Sequence, residues 1–169
     1  MSTKQVGDLH IGEDLAFQER QWTVERVGWV IMALLALAGL LGLFGGGPLS
    51  IAHAGSADQP LRVTYARFAR YRTPAELEVS VQPAATQGQA LRLSMNRSWL
   101  DSMELQGVVP EPEQVEARAE HLIFVFLLEQ PGQPLQITFN LQPIRVGAHT
   151  LQLGLDGAEP LRVTQLVYP

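Results

Sequence analysis

Residues 27–44 read VGWVIMALLALAGLLGLF. The stretch has no charge, no proline and no amide side chain, and after Arg26 the next charged residue is Asp58. At about 1.5 Å per residue its roughly 18 positions make a helix of about 27 Å, close to the hydrocarbon thickness of a bilayer. A helix packed inside a small soluble domain keeps one polar stripe, and this one has none. The stretch predicts a membrane span over residues 27–45. It divides the chain into a leader (1–26), a flexible tether (46–60) and an outer domain (61–169).

Outward on the N-terminal side, Lys4, Arg20 and Arg26 precede the span, whereas no basic residue follows it until Arg62. The positive-inside bias then places the leader in the cytoplasm and the outer domain beyond the membrane. Phe17–Arg26 is expected to extend the span's helix toward the leader. Trp22 and Trp29 bracket the level at which indole rings favour headgroups. On the other side, Gly45-Gly46-Gly47-Pro48 ends the helix, because glycines and proline extend it at high cost. Ala52-His53-Ala54 before Gly55 fits the small-x-small pattern of a signal-peptidase site. The long leader and the distance from the apolar run to that site favour an uncleaved anchor.

Within the span, Ala38, Gly42 and Gly46 recur at every fourth residue. Small side chains at that spacing let a second helix approach closely in lipid. These three residues are the expected helix-packing face, and they allow a homo-oligomer or a heterologous membrane partner.

Twelve basic and 17 acidic residues give a net charge of −5, which argues against nucleic acid as a partner. The chain has no cysteine, so disulfides, thiol nucleophiles and thiolate metal sites are all excluded. A domain outside the cytoplasm without disulfides must be held by its core.

From Leu61 the pattern changes to alternation by twos, the period of strands. Strands are expected at Leu61–Phe68, Glu76–Gln82, Ala90–Met95, Met103–Val109, His121–Glu129, Leu135–Leu141, His149–Leu155 and Leu161–Tyr168. HLIFVFLLE, residues 121–129, is apolar on both faces and reads as a central strand. Thr73-Pro74, Gln87-Gly88, Pro131-Gly132 and Asp156-Gly157 supply the turns, the last as a hairpin. Pro110–Glu120 reads as an extended connection between sheets. Pro-Leu-Arg-Val-Thr occurs at both 60–64 and 160–164, a repeat that allows the first and last strands to lie side by side. This succession of short alternating strands over residues 61–169 resembles the immunoglobulin-like class, as carried by bacterial single-pass envelope proteins. The resemblance implies an all-β, antiparallel immunoglobulin-like sandwich of about seven or eight strands, preceded by one N-terminal transmembrane helix. A small barrel is the alternative.

Sites of chemistry are sparse. The four histidines, His10, His53, His121 and His149, show no metal-ligand spacing, and no cofactor is expected. Glu111, Glu113, Glu116 and Glu120 read as a solvated acidic loop, with weak calcium binding the alternative. Ser98, Asp101, Ser102 and His121 include the residue types of a hydrolase triad but lack a strand–GxSxG–helix context. Asn96-Arg97-Ser98 matches the glycosylation pattern. The concentrated basic-aromatic stretch is RVTYARFARYR, residues 62–72. Arg67, Phe68, Arg70, Tyr71 and Arg72 are its candidate partner contacts, against the alternative of an edge strand protected by charge.

These features lead to one expectation. The protein is a non-enzymatic, membrane-anchored accessory subunit of the bacterial inner membrane, docking from outside on a larger membrane or envelope partner. A tethered periplasmic sensor or ligand-binding module is the alternative, and a membrane-anchored hydrolase the alternative from another class.

Overall fold

The computed structural model describes residues 15–40, 50–56, 59–155 and 159–169, with side chains of the first helix from Gln21 onward. That helix, α1, spans Leu15–Leu40 and contains a segment, Gln21–Leu40, long and apolar enough to cross a membrane. As expected, it begins well before Val27. Trp29, Ile31, Leu34, Leu35 and Leu37 are each more than half exposed among the described residues. Arg26 stacks over the Trp22 ring at 3.5 Å from its centroid, one turn along the same face. Gly42, Gly46 and the rest of 41–49 lie outside the described residues. Of the expected packing face only Ala38 is seen, half-exposed on α1.

The second unit is mostly β-structure in two sheets. Its strands are β1 (Ile51–Ala54), β2 (Leu61–Ala66), β3 (Phe68–Arg70), β4 (Ala75–Val81) and β5 (Ala90–Asn96). After a short helix, α2 (Arg97–Leu100), come β6 (Met103–Val109), β7 (Gln114–Ala117) and β8 (His121–Leu127). The last three are β9 (Leu135–Pro143), β10 (Gly147–Leu155) and β11 (Leu161–Tyr168). One sheet has the order β1-β2-β4-β9-β6, the other β3-β11-β10-β5-β8-β7. All pairings are antiparallel except β3 with β11.

Alternation explains why these segments are strands. Leu77, Val79 and Val81 of β4 point inward with Ile137, Phe139 and Leu141 of β9. Leu91, Leu93 and Met95 of β5 point inward from the other sheet with Leu151, Leu153 and Leu155 of β10. All belong to one core. Phe124 and Phe139, one from each sheet, meet edge to face with centroids 5.3 Å apart. The sheet edges are blunted: β1, β3 and β7 are short, and β6 is bulged between Leu105 and Gly107.

Five expectations change. The tether contributes a strand: Ile51–Ala54 pairs with Val63–Ala66, and Ala52 is buried. Four residues are too few to show a period, so their pairing is decided by β2 alone. The single strand expected at Leu61–Phe68 divides at Arg67, and its two parts join different sheets. The Pro110–Glu120 connection does cross between the sheets, but it also forms β7, the edge strand beside β8.

HLIFVFLLE is not central but next to the edge. Phe124 and Phe126 fill the core, while Ile123 faces outward and is still only 6% exposed. Arg92 of β5 stands opposite Val125, and Glu116 of β7 opposite Ile123; their ion pair, 2.6 Å long, passes over β8 and covers that outer face. The repeated Leu-Arg-Val-Thr lies in β2 and β11, which belong to opposite sheets. It encodes the same in–out alternation twice rather than adjacency, with Val63 and Val163 both buried.

Gly55 follows β1 at φ +93°, and a Cβ there would collide with the Leu61 carbonyl oxygen. Only glycine fits both the backbone angle and the close approach.

Candidate functional site

The arginine-bearing stretch is where the chain leaves one sheet and enters the other. Arg67 links both: its N–H donates to the Ser50 carbonyl at 2.6 Å, and its carbonyl accepts from Leu166 N–H at 2.9 Å. Gln165 Nε2 donates to the Ala66 carbonyl at 2.9 Å. Tyr71 N–H donates to Tyr168 O, Arg72 N–H to Pro143 O, and Gln142 Nε2 to Arg72 O. The backbone from 66 to 72 is thus held along its length.

On this frame Arg67, Arg70 and Arg72 are exposed, while Phe68 and Tyr71 are half-buried. Ala69, between them, is buried and fixes which side faces out. Arg72 adopts φ +56°, and its guanidinium lies 5.4 Å from the Tyr71 ring centroid. Among the described residues no carboxylate comes within ion-pair distance of Arg67, Arg70 or Arg72. The result is a rigid edge with three unneutralised guanidiniums and two aromatic flanks, on a chain whose net charge is negative.

A second region lies beside α2. Ser98, Asp101 and His121 line one cleft of about 400 Å³, together with Asn96, Arg97, Glu120 and Gln152. The sequence had suggested these residue types without a context to join them. Their hydrogen bonds run elsewhere: Asn96 Nδ2 donates to Ser98 Oγ at 2.9 Å, and none joins His121 to Ser98 or Asp101. A triad requires the base to meet both the nucleophile and the orienting acid. Ser102 is apart from them, fully buried, and donates to Trp99 O.

Asn96 itself is buried, donates to Ser98 Oγ and Thr150 O, and accepts from Gln152 N–H. Its amide is committed to the fold, so the glycosylation pattern is not presented to solvent. Of the acidic loop, Glu116 is bound to Arg92, which holds its carboxyl below the ordinary range, first through the hydrogen bond and then through charge. Among the described residues no three His, Asp or Glu side chains gather as a metal site. His53 bonds Thr64 Oγ1 and His149 bonds the Arg145 carbonyl.

Sequence reasoning missed the buried polar pair Trp99 and Gln165. Gln165 carried a signal: in LRVTQLVY it occupies an inward position between Val163 and Val167 where alternation calls for an apolar residue.

No protein-family model matches the chain. No curated protein matches it either. Among solved structures it is similar to a cohesin module from a Clostridium perfringens ATCC13124 family 33 glycoside hydrolase. The TM-score is 0.45 and the identity 12%, over 69% of this chain and 98% of that one.

Proposed function

We propose that the protein is a membrane-anchored accessory subunit whose outer domain, an immunoglobulin-like sandwich, docks on a larger membrane or envelope protein. The observation that carries this reading is the edge at Arg67–Arg72. Three guanidiniums without carboxylate partners among the described residues are held on a fixed backbone beside Phe68 and Tyr71. Arginine and aromatic side chains dominate the energetics of protein interfaces, and a pre-ordered backbone lowers the entropy lost on docking. The complementary surface is acidic.

Anchoring by α1 is supported by the apolar side chains exposed along it. Retention of the anchor is supported by β1: cleavage after Ala54 would detach a strand that is paired residue by residue with β2. The orientation, leader in the cytoplasm and domain in the periplasm, rests on the basic residues before the span. The test is a gentle detergent pull-down of the tagged full-length protein, with mass spectrometry of co-purifying proteins and of its own N-terminus. A stoichiometric membrane partner with the leader intact supports the reading. A protein recovered alone and beginning at Gly55 overturns it.

The convergence of Ser98, Asp101 and His121 on one cleft favours a second reading, a membrane-anchored hydrolase. Its test is labelling by a fluorophosphonate probe. Labelling lost in Ser98→Ala would establish a nucleophile. An unlabelled wild-type protein would remove this reading.

A further inference from the structure

Trp99 and Gln165 are 3% and 6% exposed, and each has a polar atom, Nε1 and Oε1 respectively, with no hydrogen-bond partner among the described residues. Both residues line the same cavity between the sheets, with Tyr65, Met103, Leu151 and Val163 among its walls. An unpaired buried polar atom carries its full desolvation penalty, and folded proteins rarely tolerate two in one place.

The chemistry of the two atoms is complementary. The Ala66 carbonyl only accepts, so the Gln165 amide must present its NH₂ to it, which leaves Oε1 free as an acceptor. The indole Nε1–H only donates. The two are not bonded to each other. The space for the centre of a water-sized sphere is about 10 Å³, at the threshold that one water needs.

We propose that this cavity is a binding site for one water molecule, which accepts from Trp99 Nε1–H and donates to Gln165 Oε1. No larger ligand fits that space. The bridge joins the α2 turn, where Ser98 and Asp101 stand, to the side chain that holds Ala66 immediately before Arg67.

The test is nuclear magnetic resonance on the full-length chain in nanodiscs. Trp22→Phe with Trp29→Phe leaves Trp99 as the sole indole, without touching the cavity. The expected result is a cross-peak from its Nε1 proton to a water with the sign of long residence. A protected indole proton with no such cross-peak means a dry cavity and overturns the proposal. In Gln165→Met the cross-peak is expected to disappear while the indole resonance keeps its dispersion. Persistence at full strength there would also overturn the bridge. The measurement on the unaltered cavity decides the water by itself should Gln165→Met fold poorly.

Discussion

Arg92 and Glu116 sit on strands separated by a third, yet their side chains meet at 2.6 Å above it. The bridge closes over Ile123 and Val125, so the outer apolar face of β8 is shielded by charged side chains lying flat on the sheet. Their aliphatic stems provide the cover while their heads reach water.

This pair sets a pH dependence. The folded-state pKa of Glu116 is depressed by Arg92, so its contribution to stability is complete above the ordinary glutamate pKa. It is lost as pH falls through the lowered folded value. Wild type is therefore expected to be more stable than Glu116→Gln at neutral pH, the gap closing on acidification below the glutamate range. Thermal melts of both proteins from pH 7 to pH 3 check this, and a gap independent of pH would contradict it.

The contact between Phe124 and Phe139 is expected to hold the two sheets together. Phe139→Ala removes a fully buried ring from that contact and should cost about 3–5 kcal/mol. Urea unfolding followed by circular dichroism gives the value. A loss under about 1 kcal/mol would mean that the sheets repack around the gap.

At the arginine edge, Arg67→Glu with Arg70→Glu is expected to abolish capture of the partner while leaving the melting temperature nearly unchanged, since both side chains are exposed. Co-purification at matched expression measures it. Full retention would return these arginines to protection of a short edge strand. Capture transferred to anionic vesicles in wild type alone would make the partner surface a lipid headgroup layer.

For the span, Gly42→Ile is expected to weaken association in the membrane without unfolding the outer domain, because a branched side chain keeps helices apart. Crosslinking in native membranes reads this directly. Unchanged yield would leave α1 as an anchor alone.

The absence of native cysteine makes topology simple to measure. Ser2→Cys is expected to react with an impermeant maleimide only after cells are opened, and Ala119→Cys, an exposed position, once the outer barrier alone is breached. The reverse pattern would invert the orientation.

Whatever depends on local spacing was legible along the chain. Uninterrupted apolarity gave the helix, alternation gave β4, β5, β6, β9, β10 and β11, and a short run apolar on both faces gave β8, all within a few residues, because each such pattern is carried by neighbours along the chain. The arginine stretch, too, was legible as composition. Whatever depends on distant partners emerged with the packed fold. β1 and β7, each of four residues, are too short to show a period and exist through pairing with β2 and β8. The change of sheet at Arg67 is fixed by bonds to Ser50 and Leu166, far away in sequence. The gathering of Ser98, Asp101 and His121 on one cleft follows from the pairing of β5 with β8, which sets Asn96 opposite His121, and that of Trp99 and Gln165 around one cavity follows from how the sheets stack. Local pattern sets which side of a strand is apolar; the choice of neighbour across and between sheets is a property of the whole packed core.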